Sequence, residues 1–201
     1  MNLDNYRSKL TGLISEKRFD HVNRVSEVAA KLALAHGLDE VKASIAGLMH
    51  DAAKEQSPDK LLKLGFSEDV IEQNTFEEFT KVWHAFVAPV FCSQLFSIQD
   101  DETLTAMKWH TTGKEAMSPL EQLVFVADYI EPGRNLPDRA YIEELAFNSL
   151  DDACFALSYT TLNSLLKRGL NIHPLSVSCH NHYLLCSTSS NEIKDTLQRL
   201  N

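Results

Sequence analysis

The chain has 201 residues, 44% of them hydrophobic and 23% charged, with only 7 glycines and 6 prolines. That is enough chain for one well-buried core, with too few turn residues for a dense β architecture and too much apolar content for disorder. The net charge of -9 argues against a general nucleic-acid binder, so an anionic ligand would need a locally positive site in an acidic protein.

After a short N-terminal helix, periodicity over 17–36 predicts a helix on which Val25, Val28 and Leu32 share the core face with His21. Gly37 ends it, and Asp39 caps the next helix, which carries Val41, Ile45 and Leu48 to the adjacent pair His50-Asp51 near its C-terminus. Ser57-Pro58 starts a short helix stopped by Gly65, and Ser67 starts another. Pro89 is not expected deep inside a helix, so the helix over WHAFVAPVFCSQLF should begin close to His84, with Val87, Phe91 and Leu95 on the histidine's own face. Asp100 or Asp101 caps a helix through Leu104 and Met107 to His110, followed by the irregular Thr111-Thr112-Gly113. Ser118-Pro119 begins the helix that ends near Asp128, closed by Glu131-Pro132-Gly133. Further helices are expected over 139–147, 151–168 and 175–186, then a serine-rich link and a polar helix over 192–200. The expected architecture is all-α, with one domain over 1–186 and a linker and short tail helix over 187–201.

The N-terminal MNLDNYRSKL lacks the basic-then-apolar pattern of a signal peptide, and no apolar run reaches the roughly 18 residues of a membrane span. Cys92, Cys154, Cys179 and Cys186 form no CxxC pair and are expected to be reduced. A cytoplasmic protein without a membrane partner is therefore expected. The oligomeric state stays open, a homodimer being one option.

His21, His50, Asp51, His84, His110 and Asp128 form a histidine and carboxylate set on helices or helix ends, which a helical bundle can bring to one pocket. Four imidazoles without a thiolate suit iron, manganese, cobalt or zinc and match calcium or magnesium poorly. Adjacent helical residues project about 100° apart, so His50 and Asp51 converge on one metal only where neighbouring helices approach the helix end, and the aspartate can there bridge two ions. Trp83 and Trp109, each preceding a ligand histidine, are expected to pack behind the site, whereas His36, His173, His180 and His182 fall outside the set.

The order His21, His50-Asp51, Asp128 resembles the H...HD...D signature of the HD-domain phosphohydrolase superfamily, and His84 and His110 match its two-metal branch. More narrowly, the strings RFDHV, LMHDAAK, HTTGKEAMS, FVADYIEPGR and IHP are similar to those of the YqeK-type symmetrical bis(5′-nucleosyl)-tetraphosphatases. The stretch from His84 to Pro89 departs from the His-Gly-Pro or His-Ala-Pro run usual there, and Pro137-Asp138-Arg139-Ala140 departs from the usual glycine-containing stretch. The resemblance implies an HD-domain helical bundle around a central two-metal site, iron being the first choice and manganese or cobalt the alternatives. It implies that His21, His50, Asp51 and Asp128 hold one ion, and that Asp51, the catalytic centre of the set, bridges to a second held by His84 and His110. The implied substrate is a dinucleoside polyphosphate, diadenosine tetraphosphate, cut by water into two ADP. An HD phosphohydrolase acting on a mononucleotide or cyclic dinucleotide, or a metal-dependent nucleotide-binding regulator without turnover, is the alternative. Lys54 and Arg134 are the leading candidates for phosphate contact, with Arg18, Thr111, Thr112 and Gly113 behind them.

Overall fold

The computed structural model describes residues 3–74 and 79–200. Their regular structure is α1 (Leu3–Leu10), α2 (Glu16–His36), α3 (Glu40–Met49), α4 (Pro58–Lys63), α5 (Glu68–Asn74), α6 (Trp83–Phe96), α7 (Asp101–Trp109), α8 (Pro119–Ile130), α9 (Arg139–Asn148), α10 (Leu150–Lys167), α11 (Pro174–Cys186) and α12 (Ser190–Leu200). No strand occurs among the described residues, in keeping with the few turn-forming residues.

Short polar side chains set the helix starts. Ser15, itself tied to Glu55, accepts the Arg18 amide and starts α2 at Glu16, while Asp39 accepts the first amides of α3. Ser118 and Glu121 exchange side-chain and backbone hydrogen bonds at the start of α8, a capping box that also sets the register of Asp128 near its end. His50 and His110 are the C-terminal caps of α3 and α7, so both imidazoles leave a helix where backbone carbonyls are free to orient them.

Pro89 corrects one expectation. α6 does begin at Trp83, with His84 in its first turn, but the helix continues through Pro89 to Phe96. The missing amide leaves the Ala85 carbonyl without its helical donor and costs about 3 kcal/mol. Burial of Ala85, Val87, Ala88, Phe91 and Cys92 along the same helix offsets that cost.

Two apolar clusters hold the bundle together. One joins α8, α9, α10, α11 and α12 to Val25, Val28 and Leu32 of α2; the other joins α1, α4, α5 and α6 to Ile45, Leu48 and Met49 of α3. α2, α3 and α7 contribute to both, and His21, His50 and His110 lie on or at the ends of these dividing helices. The tail helix is part of this packing, since Ile193 and Leu197 of α12 are buried in the first cluster and α12 packs on α10.

The start of α7 offers a test of how the His110 helix is anchored. Asp100 accepts the Thr103 hydroxyl at 2.6 Å and its amide at 2.9 Å, and it pairs with Lys42 at 2.9 Å. The Thr103 hydrogen bond, then Lys42, lowers its carboxyl from 3.8 to about 2. A depressed carboxylate stabilises the fold above its unfolded value and loses that contribution as pH falls through its folded value. Asp100→Ala should therefore cost about 1 kcal/mol at neutral pH. In denaturant titrations the difference from the parent chain should shrink below pH 4 and vanish only below pH 2; a constant difference would contradict the assignment.

Candidate metal centre

The six side chains meet where five helices converge. Asp51 Oδ2 lies 3.8 Å from His21 Nε2 and 3.6 Å from His50 Nε2, while its Oδ1 lies 3.1 Å from His84 Nε2 and 3.3 Å from His110 Nε2. Asp128 Oδ1 closes the first group at 3.1 Å from His21 Nε2 and 3.7 Å from His50 Nε2. His84 and His110 bring their Nε2 atoms to 3.2 Å in the second. One carboxylate thus faces two histidine pairs with its two oxygens. His50, His84, His110 and Asp51 are almost wholly buried, and Asp128 is half-buried.

Each ring but His84 has a visible reason to present Nε2. His50 Nδ1 lies 2.7 Å from the Gly47 carbonyl, and His110 Nδ1 lies 2.7 Å from the Met107 carbonyl, three residues back in both helices. A carbonyl can only accept, so Nδ1 carries the hydrogen and Nε2 the lone pair. His21 Nδ1 lies 3.1 Å from Glu131 Oε1. Glu131 is buried; Arg24 Nε donates to its Oε2 at 2.5 Å and the Gly133 amide donates to the same oxygen at 2.6 Å. Burial alone would raise the Glu131 carboxyl, but Arg24, the Gly133 amide and His21 hold it below its ordinary value. A Cβ at Gly133 would stand 2.4 Å from Arg24 Nη2, so only glycine leaves the guanidinium this position.

Sequence reasoning treated Glu131 and Gly133 as a helix stop and gave Arg24 no role. The available signal was a carboxylate in the turn directly after the helix that carries Asp128. Carboxylates that orient metal-bound histidines tune affinity by about 10- to 100-fold. Glu131→Ala should weaken metal binding to that extent in a competitive chelator titration while leaving the helical circular dichroism intact. Unchanged affinity would reduce Glu131 to a structural ion pair with Arg24.

Among the described residues, the buried side-chain nitrogen and oxygen atoms without an aligned hydrogen-bond partner are Arg18 Nε, His21 Nε2, His50 Nε2, Asp51 Oδ1 and Thr111 Oγ1. Three of the five belong to the six-residue set. Buried polar atoms are rarely left unsatisfied, and close approach without alignment is what donors aimed at a shared point produce. Three overlapping groups, His21-His50-Asp51, His50-His110-Asp128 and Asp51-His84-His110, each have the spacing to hold an ion. Protonation suits this role. Burial lowers His84 to about 3, with Lys54 and His110 adding to it against Asp51, so the ring is neutral at neutral pH. Burial would raise the Asp51 carboxyl, but His50, His110, His84 and Lys54 hold it well below the carboxylate range; His21, His50 and Arg134 do the same for Asp128. Neutral imidazoles and ionised carboxylates are the ligand forms a transition metal takes.

Cations surround this set. Arg18 Nη1 donates to Asp51 Oδ2 at 2.6 Å, and Lys54 Nζ lies 2.9 Å from His84 Nε2 and 3.7 Å from Asp51 Oδ1. Burial lowers the Lys54 ammonium, opposed by Asp51 and Asp128. Arg134 Nε donates to the Asp128 carbonyl at 3.0 Å, and its Nη2 pairs with the Asp128 carboxylate. The turn after His110 is largely occupied with itself: Thr112 donates to the Gly113 carbonyl at 2.9 Å and the Gly113 amide donates to the Trp109 carbonyl at 2.9 Å. Gly113 has φ +61, and a Cβ there would stand 2.4 Å from Cys179 Sγ, so the glycine serves the turn and its packing. Thr111 Oγ1, one residue after His110, is buried without an aligned hydrogen-bond partner.

The remaining histidines lie outside the set. His36 Nε2 lies 2.7 Å from the Ala146 carbonyl, His173 caps α11, His180 contacts Ser158 at 3.2 Å and His182 contacts Cys186 at 3.5 Å. Trp109 packs edge-on against Phe86 at 5.9 Å beneath Lys108, and Trp83 packs on the second apolar cluster.

The model of the HD domain matches residues 18–133, which contain all six side chains. A protein of Staphylococcus aureus named bis(5′-nucleosyl)-tetraphosphatase, symmetrical, is 32% identical over 197 residues, covering 97% of this chain and all of its own. A protein of Bacillus subtilis with the same name is 31% identical over 161 residues, covering 80% of this chain and 86% of its own. The crystal structure of a predicted HD superfamily hydrolase from Clostridium acetobutylicum, described as involved in NAD metabolism, superimposes with a TM-score of 0.80 at 26% identity over 93% of this chain and 99% of its own. A family match spanning the whole site, relatives aligned over nearly the full length and the same helical architecture together establish that this chain belongs to the HD-domain family and, within it, to the symmetrical bis(5′-nucleosyl)-tetraphosphatases.

Proposed function

We propose that the protein is a metal-dependent hydrolase that cuts diadenosine tetraphosphate symmetrically into two ADP. The observation that carries this reading is Asp51, whose two carboxylate oxygens face separate histidine groups. His21, His50, Asp51 and Asp128 would hold one divalent ion, and Asp51, His84 and His110 a second, iron first with manganese or cobalt as alternatives. Such a pair supplies, when bound, Lewis-acid activation of water and of the attacked phosphoryl group.

The chain's own residues place the substrate. Asp51 and Asp128 stay ionised, and the buried His84 ring stays neutral, its nitrogen lone pair free for a metal. Lys54 lies on the His84 side and Arg134 on the Asp128 side, so the two cations can grip phosphates on either side of the cleaved bond. Arg18, beside Asp51, adds a donor, and the unpartnered Thr111 hydroxyl, one residue after His110, is a further candidate, whereas Thr112 and Gly113 act by shaping the turn. A nucleoside diphosphate is a good leaving group, so the proposal needs no dedicated general acid. We place the activity in the cytosol, which suits three buried, unpaired thiols.

The test is product analysis with protein purified anaerobically and loaded with iron, manganese or cobalt. Diadenosine tetraphosphate should give ADP as its only nucleotide product, with oxygen from labelled water in the ADP. AMP plus ATP would mean that the phosphate chain is registered one unit away. Binding without cleavage would leave a nucleotide-binding regulator.

A further inference from the structure

The loop 131–138 carries Arg134 between α8 and α9, and its two buried residues are the carboxylates at its ends, Glu131 at 2% exposure and Asp138 at 0%. We propose that Asp138 is a positioning residue for the reaction: it braces the far end of this loop, and so keeps the Arg134 guanidinium aimed at the substrate's phosphates. The inference rests on the proposed grip of Arg134 on phosphate and adds to it a residue outside the histidine and aspartate set.

Asp138 stands where an aspartate ordinarily caps a helix. It directly precedes Arg139, the first residue of α9, and a carboxylate there normally accepts the free amides of the first turn. Asp138 makes no such hydrogen bond. Its oxygens turn to two other helices instead: Tyr129 Oη of α8 donates to Oδ1 at 2.8 Å, and Thr160 Oγ1 of α10 donates to Oδ2 at 2.9 Å. Burial, and then the Asp138 carboxylate, raises the Tyr129 hydroxyl, so it keeps its proton and remains a donor at neutral pH. A buried carboxylate is costly unless it is hydrogen-bonded, and here the bonds that offset the cost run from the loop to two helices outside it. What they fix is the loop.

The near end is held by Glu131, which accepts Arg24 Nε and the Gly133 amide, and whose carbonyl accepts the Arg134 amide at 3.0 Å. Arg139 closes the base of the loop, its Nη1 donating to the Ile130 carbonyl at 2.9 Å and its amide to the Leu136 carbonyl at 3.3 Å. Between the two braces Pro132, Gly133, Asn135 and Pro137 are exposed. Arg134 spends Nε and Nη2 on Asp128, so the direction of its remaining donors depends on where the loop holds its backbone. A surface loop released at one end samples more positions, and a contact group misplaced by about 1 Å can cost on the order of 10²-fold in rate.

The test is a double-mutant cycle on the metal-loaded full chain, read by kcat/KM for diadenosine tetraphosphate and by the calorimetric affinity for inorganic tripolyphosphate. Asp138→Ala should lower both by about tenfold or more while the metal content stays near that of the parent chain. Tyr129 and Thr160 are half-buried, so water can reach the hydroxyls that this substitution releases. In an Arg134→Ala background the same substitution should lower either quantity by no more than about twofold, because the group it positions is gone, whereas stability in denaturant should fall alike in both backgrounds. Asp138→Asn, which keeps the shape and one acceptor oxygen, should recover part of the loss. An equal fold-loss with and without Arg134 would make Asp138 a purely structural residue and overturn the proposal, as would an unchanged tripolyphosphate affinity in Asp138→Ala. If Asp138→Ala does not fold, Asp138→Asn and Thr160→Val are carried through the same cycle and the same outcomes decide. Should the parent chain fail to cleave diadenosine tetraphosphate while tripolyphosphate affinity still follows the cycle, the hydrolase reading fails and the positioning of Arg134 by Asp138 stands.

Discussion

Asp51→Ala is expected to strip both metal ions from the protein and to lower turnover of diadenosine tetraphosphate by on the order of 10³-fold or more. The reason is geometric. Among the described residues, Asp51 is the one carboxylate whose two oxygens face both histidine groups, at 3.6 and 3.8 Å from His50 and His21 and at 3.1 and 3.3 Å from His84 and His110. Its removal also takes from the Arg18 guanidinium its carboxylate partner, so Asp51→Asn, which keeps the volume and drops the charge, is the companion that separates metal loss from misfolding. His84→Ala provides the contrast. It touches only the second group and should leave the ion held by His21, His50 and Asp128 in place. Metal analysis after gel filtration reads all three: close to none per chain for the Asp51 variants, close to one for His84→Ala and close to two for the parent chain. Equal metal retention in Asp51→Ala and His84→Ala would contradict the division of ligands.

Arg134→Ala should lower kcat/KM by roughly 10²- to 10³-fold, the range found when a charged donor to developing oxyanion charge is removed, while the metal content stays near that of the parent chain. Arg134 is fixed in two ways, by the Asp128 carbonyl and by the Asp128 carboxylate, and a planar guanidinium has further donors to offer a phosphate beyond those two. Arg134→Lys should recover only part of the loss, because an ammonium cannot reproduce the fork. Lys54→Ala should behave in the same direction with a smaller effect, since Lys54 acts as a single charge on the His84 side. Loss of an ion in either variant, read by the same metal analysis, would show that the cation supports a ligand instead of the substrate. The Arg134 outcome matters most, because the guanidinium already pairs with Asp128, a carboxylate of the proposed ligand set.

The local code was readable along the chain because each element is specified by neighbours in sequence. Serine and aspartate caps, proline at the first helical position and apolar residues recurring every three or four positions set where α2, α3, α7 and α8 begin, and so the faces that carry His21, His50, His110 and Asp128. Pro89 misled on one point, since the penalty it imposes is local while the burial that outweighs it comes from helices distant in sequence. The ligand residue types were legible for the same reason as the caps: imidazole and carboxylate chemistry belongs to the residue itself.

The sequence by itself determined an all-helical bundle, the six histidine and aspartate side chains that gather at one point, and the family. Only the tertiary structure decided which oxygen of Asp51 faces which histidines, that Glu131 with Arg24 behind it orients His21, and that Asp138 ties the loop of Arg134 to α8 and α10. The division has one physical cause. A helix start or a donor type is set within a few residues, whereas the direction of a ring nitrogen or the choice of partners for a buried carboxylate is set by groups that meet only after the two apolar clusters have packed.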